Sequence, residues 1–290
     1  MNKPLLVLPP WPPRWSLIEN LLAHEPPGRM SDLKARLCEP PADAQDALAL
    51  QPDGAHARAI GCLRRKHDVG VLSQLFTHAD HRRRGHARRL VQTLLSWFDM
   101  TGGRWLYATS PAELHAAFFD HFGFRVLHHG GGDDAPAALV TLLRTPAGVS
   151  GDSLSQNQGA VTVRELGRSD WPLIVALLQH QPGPDPRVPI AESALAAEAT
   201  AFDLLEHADK GVCSLLGAGD GRRLVGVASL ATDQLGSRTY AMILPHGSAP
   251  AELRAGVLSL ADRKGYQHVD FPLEAVTGPS ASGGAATATP

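Results

Sequence analysis

The chain has 290 residues, 43% of them hydrophobic and 19% charged, and its formal net charge is −2. This composition predicts a folded protein of one or two domains and argues against a general nucleic-acid-binding protein, which carries a basic excess. The three cysteines are far apart and in no C-x-x-C spacing, so they indicate neither a disulfide framework nor a zinc site. No apolar run reaches the roughly 18 residues of a membrane span, and prolines break the short run near the N-terminus, so we expect a cytoplasmic protein.

The first part of the chain is predicted to form a strand, two helices and three strands, separated by proline and glycine turns. Ser31 is the expected N-cap of the second helix, because it comes after the breaker sequence PPG at residues 26–28. The turns between the three strands are short, which favours antiparallel hairpins. The predicted bounds are residues 4–8, 11–22, 31–37, 47–51 and 57–64, and the last strand is predicted from the apolar run Leu72, Leu75 and Phe76.

A polar turn that ends in Gly85 comes after the last of these strands, and an amphipathic helix is predicted at residues 86–99. A helix N-terminus presents unpaired backbone N–H groups and a partial positive charge, so it favours an anion. Gly85 lets the main chain approach the anion closely, and Arg82, Arg83 and Arg84 add positive charge. We therefore predict a diphosphate site here, with a merely solvated basic face as the alternative.

The segment RRRGHA at residues 82–87 has the form R-x-x-G-x-A and resembles the acyl-CoA pyrophosphate loop of the GNAT acetyltransferase superfamily. A strand at 105–109, a helix at 111–122 and the FGF sequence at 122–124 are similar to the elements after that loop in the family, so the resemblance covers roughly residues 59–144. It implies an α/β (α+β) fold with a mixed, mostly antiparallel sheet flanked by helices. It also implies acetyl-CoA, or another acyl-CoA, as co-substrate.

The resemblance assigns donor-binding roles to two groups of residues. The strand before the loop is expected to meet the pantetheine and the thioester through the main chain of Leu75, Phe76 and Thr77. The loop and the first helical turn are expected to hold the diphosphate through Arg82, Arg83, Arg84, Gly85, His86, Ala87 and Arg88.

The proton-transfer groups are less clearly marked. Many family members place a tyrosine four residues before the glycine of the Gly-Phe pair, where it protonates the departing thiolate, and this chain has Phe119 there. The general base stays open between Asp68 and Gln74, which lie beside and within the strand before the loop. The candidate acids by proximity along the chain are Tyr107, Ser110, His115 and His121.

Residues 146–159 are predicted to form a linker, and residues 160–275 repeat the order strand, two helices, three strands, helix and strand. The second copy has no arginine cluster at residues 245–250, and residues 276–290 are expected to be a disordered tail. We therefore expect two GNAT-like units, 1–145 and 160–275, the second truncated and degenerate, with a packing or substrate-shaping role. The predicted bounds in the second unit are residues 161–166, 171–179, 192–207, 212–216, 224–232, 238–244, 250–264 and 268–273.

The favoured hypothesis is an acyl-CoA-dependent N-acyltransferase that transfers an acetyl group directly, in a ternary complex, to an amine of a small molecule or peptide. The alternative is a non-catalytic acyl-CoA sensor or scaffold, because Phe119 cannot donate a proton. We expect no nucleic-acid or membrane partner and a monomer or homodimer. No metal is expected, because His78, His81 and His86 lie close together without a carboxylate-supported ligand spacing.

Overall fold

The computed structural model describes residues 3–23, 25, 27–130, 139–146, 160–179, 194–233, 238–244 and 251–271. These residues contain two β-sheets, of seven and four strands, with helices packed on them. The strands are β1 Leu5–Val7, β2 Ala47–Asp53, β3 His56–Lys66, β4 Val69–Thr77, β5 Trp105–Pro111, β6 Arg125–Gly130, β7 Leu139–Arg144, β8 Thr162–Glu165, β9 Cys213–Gly219, β10 Leu224–Thr232 and β11 Thr239–Leu244. The α-helices are α1 Trp15–Glu19, α2 Pro27–Cys38, α3 His86–Met100, α4 Ala112–Leu114, α5 Trp171–Gln179, α6 Ala194–Asp209 and α7 Ala251–Arg263. Within this described part of the chain, no helix has both the length and the apolar character to cross a membrane.

The first sheet has the strand order β1-β2-β3-β4-β5-β7-β6, and all its neighbouring strands are antiparallel except β4 and β5. Parallel neighbours need a crossover connection, which α3 supplies. The positions whose spacing predicted α3, including Leu90, Val91 and Leu94, are buried against this sheet. The predicted α/β fold, with a mixed and mostly antiparallel sheet flanked by helices, is confirmed.

The second sheet is built from β8 to β11 in sequential order, with antiparallel neighbours throughout. Helix α7 packs on it through Leu253, Val257 and Leu260. From β8 to α7 the elements have the same order as from β1 to α3. The tandem interpretation predicts this order, and the origin of residues 160–275 as a second, truncated GNAT unit stays a prediction.

The two sheets share a hydrophobic core. Val69, Val71, Trp105, Tyr107 and Leu143 of the first sheet are buried against the apolar side chains of α5 and α6. The same helices contact β9 and β10 of the second sheet. Helices α5 and α6 are therefore sandwiched between the sheets, and the second half covers a face of the first.

A buried group of charges joins the same two halves. Asp32 Oδ2 accepts a hydrogen bond from Arg64 Nη2 at 2.5 Å, and Asp32 Oδ1 accepts one from Arg36 Nε at 3.4 Å. Arg36 also donates to the backbone carbonyl of Arg168, just before α5, and Arg168 Nη1 lies 3.9 Å from Asp32 Oδ1. Burial acts to raise the pKa of Asp32, but the guanidinium groups of Arg64 and Arg36 outweigh it and hold that pKa below its usual value.

Three predicted helices differ clearly from the observed ones. The helix predicted at 11–22 is instead a 3₁₀ turn, Pro12–Arg14, followed by the short helix α1, Trp15–Glu19. Helix α2 begins at Pro27 instead of after Ser31, because proline lacks an N–H that the first helical turn would leave unpaired. The helix predicted at 111–122 is instead the single turn α4, a π-helical turn and a 3₁₀ turn. The aromatic rings of Phe118 and Phe119 pack 4.9 Å apart in this segment, and Phe119 also packs against Phe124. Aromatic packing thus overrides regular helical periodicity here.

Of the last predicted strand, at 268–273, only residues 268–271 are described, and they contain one isolated parallel bridge, between Tyr240 and Asp270. Residues 147–159 of the predicted linker and residues 272–290, with the predicted tail, lie outside the described residues. The loop at 245–250, the counterpart of the arginine loop in the second unit, lies outside them as well.

Candidate active site

A β-bulge in β4 separates this strand from β5. The two strands pair in parallel from Val69 and Trp105 to Leu72 and Ala108, and beyond that point they are not paired. Just after it, Gln74 has a φ of +48°, and the register between β3 and β4 shifts. A bulge places an extra residue on one strand and bends it. The bend accounts for the gap that opens between the ends of β4 and β5.

A cavity of ≈ 330 Å³ fills this gap and continues to the surface of the second half. Its walls come from both faces of the first sheet, with Leu72 and Ala108 on the face of α3 and Trp171 on the face of the second half. Polar and charged groups cluster on the side of α2, β3 and α6. The lining residues are Glu25, Arg29, Asp32, Arg64, Leu72, Ser73, Gln74, Leu75, Ala108, Thr109, Ser110, Pro111, Leu114, Phe119, Trp171, Glu198 and Phe202.

The arginine loop lies directly after β4, at the start of α3. Gly85 is the N-cap residue of α3 and has a φ of +72°, which side chains other than glycine rarely adopt. A Cβ atom at this position would meet only Arg89 Nη1, at 3.4 Å, so backbone conformation and not space favours glycine here. Arg82 Nε donates to the carbonyl of Thr77 at 3.2 Å, which fixes the loop to the end of β4. The side chains of Arg82, Arg83 and Arg84 are exposed around the helix start.

The next two predicted donor-binding side chains, His86 and Arg88, differ in exposure. The imidazole of His86 is buried, with Nδ1 3.0 Å from Arg89 Nη2, and it lines a second cavity with Asp53 and Arg58. Burial and then the neighbouring guanidinium of Arg89 lower the pKa of His86. The neutral form of the ring is therefore favoured. At the start of α3, His86 offers its backbone N–H group but not its side chain. Arg88 is exposed on the first turn of α3.

Residues 49–126, which hold the bulge, the gap and the loop, match the family model of the acetyltransferase (GNAT) domain. The chain contains a GNAT domain. This family assignment supports acyl-CoA-dependent N-acyl transfer as the kind of reaction. The matched region ends before β7, so β7 and the whole second half lie beyond it.

Solved structures of GNAT proteins are similar to about half of the chain. A GNAT-family protein of Desulfovibrio desulfuricans is 13% identical, with a TM-score of 0.41, and the match covers 49% of this chain and 98% of that one. The ribosomal-protein-S18-alanine N-acetyltransferase of Escherichia coli is 14% identical, with a TM-score of 0.37 and coverage of 51% and 98%. A GNAT acetyltransferase of Elizabethkingia anophelis with acetyl-CoA bound is 10% identical, with a TM-score of 0.36 and coverage of 50% and 99%. No curated protein sequence matches the chain.

The candidate acids are brought together only in part. Ser110 lines the cavity, and its hydroxyl donates to the carbonyl of Pro111 at 3.1 Å. Tyr107 faces away from it and is 0% exposed in the core between the two halves, where burial raises the pKa of its phenol. His121 is exposed and does not line the cavity, and the side chain of His115 lies outside the described part of the structure. The catalytic assignments of Tyr107 and His121 are therefore corrected, because chain proximity did not reveal which face each side chain occupies.

Phe119 lies in the cavity wall, at the position where the family often has tyrosine. Its ring is held by edge contacts with Phe118 and Phe124, at centroid distances of 4.9 and 5.4 Å. Of the candidate bases, Gln74 lines the cavity at the bulge, whereas Asp68 lies before the other end of β4 and does not line it. The part of the cavity between β4 and β5 is therefore lined mostly by uncharged groups.

Sequence reasoning missed the charged wall that faces the gap, and above all Glu198. This residue lies on α6, in the run AAEATAF, where a carboxylate interrupts small and apolar residues. Burial raises the pKa of Glu198, while the Thr109 hydroxyl, Arg29 and Arg64 act in the opposite direction. Thr109 Oγ1 is near the carboxylate but forms no hydrogen bond of normal geometry with any described group. An isolated acidic residue in an apolar helix was the signal available in the sequence.

Proposed function

We propose that the chain transfers an acyl group from an acyl-CoA, in the simplest case acetyl-CoA, directly to an amine of a small molecule or peptide within a ternary complex. The observation that carries the proposal is the position of the cavity, which opens where β4 leaves β5. Strand β4 then runs directly into the exposed arginine loop at the start of α3. A donor can therefore place its diphosphate at the helix start and its thioester in the cavity.

The helix start offers the donor both backbone N–H groups and positive charge. Arg82, Arg83, Arg84 and Arg88 surround it with exposed guanidinium groups, which would bind a diphosphate through charge-assisted hydrogen bonds. Past the bulge, the backbone of residues 75–77 lies on the edge that β5 has left. Alternate N–H groups of a strand face each neighbour, so this edge offers donors for the pantetheine and the thioester carbonyl.

The departing thiolate needs a proton, and the cavity offers few groups that could supply it. Ser110 is retained as a candidate because it lines the cavity. A serine hydroxyl is a weak acid, so a proton taken from the amine itself is an equally good source. Such a route needs a separate base for the amine.

A non-catalytic acyl-CoA sensor or scaffold is the second candidate. The observation that favours it is the phenyl ring of Phe119 in the cavity wall, since this ring cannot protonate a thiolate. Both candidates predict CoA binding at the arginine loop. They differ in turnover.

The deciding experiment is release of free CoA thiol from acetyl-CoA. The chain is mixed with acetyl-CoA and a panel of free amino acids, polyamines, aminoglycosides and peptides with a free N-terminus. We expect acceptor-dependent thiol release with at least one of these amines, and a marked decrease of this release in Gly85→Glu at sub-saturating acetyl-CoA. Tight CoA binding without thiol release above the acceptor-free rate would support the sensor instead.

A further inference from the structure

The second half places one carboxylate in the wall of the cavity. Glu198 lies on α6 and reaches the neighbourhood of Thr109, the first β5 residue beyond the last pair with β4. Side chains alternate between the two faces of a strand, so Thr109 faces the same way as Trp105 and Tyr107. Those two residues lie in the core shared with the second half. Glu198 therefore faces the mouth of the gap from the side opposite α3.

Glu198 differs from the other carboxylates of the cavity because it has no ion pair with a described residue. Asp32 is engaged by Arg64 at 2.5 Å and Arg36 at 3.4 Å, and Glu25 lies 4.0 Å from Arg29. Among the described residues, Glu198 has no ion pair within 4.0 Å. A half-buried carboxylate that lines a cavity and has no ion pair keeps lone pairs available for a ligand.

We propose that Glu198 is the general base for the acceptor amine, so that the second half completes the active site of the first. This proposal rests on the proposed acyl transfer. The acceptor is then a primary amine that arrives protonated, from the side of α2 and α6. An acceptor cation is also the ligand whose charge complements an unpaired carboxylate.

The reaction balances with Glu198 in this role. The ammonium form R–NH₃⁺ gives one proton to the Glu198 carboxylate, and the freed lone pair of R–NH₂ forms the C–N bond to the thioester carbonyl. The C–S bond then breaks, the thiolate of CoA takes the second N–H proton, and the products are the amide and the free thiol. Glu198 returns its proton to solvent. No further co-reactant is needed.

The surroundings of Glu198 raise its pKa above the usual value of a carboxyl group. Burial raises its pKa, which brings a carboxylate closer to the pKa of the proton donor. The charged groups that face it are Glu25, Arg29 and Asp32 from the side of α2 and Arg64 from β3, while β4 and β5 contribute only uncharged lining residues. The two arginines act against this rise.

The test is Glu198→Gln, which keeps the size of the side chain and removes its ability to accept a proton. We expect kcat/KM for the amine to fall about 10² to 10³-fold at pH 7, with the Kd of acetyl-CoA unchanged. The acidic limb of the kcat/KM profile that reports Glu198 should disappear. Glu198→Asp should recover part of the rate, because it restores a carboxylate.

The matched control is Glu206→Gln, the same substitution on the same helix. Glu206 forms a surface ion pair with Lys210 at 2.8 Å and does not line the main cavity. We expect wild-type kcat/KM and an unchanged pH profile. Circular dichroism and thermal melting establish that all three variants fold.

Two outcomes would overturn the proposal in distinguishable ways. If folded Glu198→Gln keeps wild-type kcat/KM and the same acidic limb, Glu198 is not the base, while acyl transfer itself stands. If the wild-type chain releases no thiol with any amine of the panel, the proposed function fails and the role of Glu198 fails with it.

Discussion

Substitution of Gly85 gives the sharpest test of donor binding, because two variants separate backbone strain from charge. Gly85 has a φ of +72°, so Gly85→Ala and Gly85→Glu both place a side chain in the left-handed region, at a cost of about 1–2 kcal/mol in folding stability. The added Cβ has room, since its nearest neighbour is Arg89 Nη1 at 3.4 Å. Both variants should therefore fold with a similarly lowered melting temperature.

Only Gly85→Glu adds a negative charge at the helix start. A unit charge about 6 Å from two phosphate charges in water costs about 1.4 kcal/mol, or a tenfold loss of affinity, and more where the site excludes water. Isothermal titration calorimetry with CoA should therefore give Kd values that differ about tenfold or more between the two variants. The difference should shrink in high salt, because the arginine loop is exposed. Equal CoA affinities in Gly85→Ala and Gly85→Glu would refute a diphosphate site at the start of α3.

Three other predictions concern the site and the core. Phe119→Tyr should leave thiol release unchanged or raise it modestly, because the ring at this position lines the cavity. Tyr107→Phe should leave turnover and its pH profile unchanged, because Tyr107 is buried in the core between the two halves. Steady-state kinetics from pH 6 to 9 measures both effects. Asp32→Asn should destabilise the fold by about 3–5 kcal/mol in urea denaturation at pH 7, because the buried Arg64 loses its ion pair. Arg36 loses its contact with Asp32 but keeps its ion pair with Asp46 at 3.0 Å. Because the pKa of Asp32 is lowered in the folded protein, ionised Asp32 stabilises the wild type fully above the unfolded-state pKa, and this stabilisation is lost as the pH falls through the folded-state pKa. The difference in unfolding free energy between wild type and Asp32→Asn should therefore become smaller below about pH 4. A difference that does not change with pH would contradict this account. Calorimetric titration of the whole chain should give one CoA per chain, and a second saturable site that survives Gly85→Glu would contradict the interpretation of the second half as degenerate.

Local pattern predicted much of the fold because the relevant energies act over a few residues. The bounds of α5 and β10 were predicted as they are observed, and α3 was predicted to within one residue. In each case apolar periodicity and a flanking turn or cap agree. The start of α2 was missed because a proline was taken as a breaker, although proline is accepted in a first helical turn.

The candidate site was best predicted where its residues are contiguous in sequence. The R-x-x-G-x-A spacing identified the loop because its glycine and helix start are contiguous in sequence. The orientation of Tyr107 and the arrival of Glu198 depend on packing between strands and helices about 90 residues apart, which no local pattern specifies. The bulge at Gln74 was missed for the same reason, since a register shift is a property of two strands.

The core shared by the two halves has a consequence for synthesis on the ribosome. The last strand of the first sheet ends at Arg144, but Val71, Trp105 and Tyr107 on one face of the sheet stay uncovered until α5 and α6 have been synthesised. About 60 further residues must be translated before Leu205 emerges, which takes about 3 to 12 s at roughly 5–20 residues per second. During that interval the nascent sheet presents a large apolar face. The nascent chain should therefore depend on a chaperone until α5 and α6 cover this face. A fragment that ends after residue 145 should aggregate.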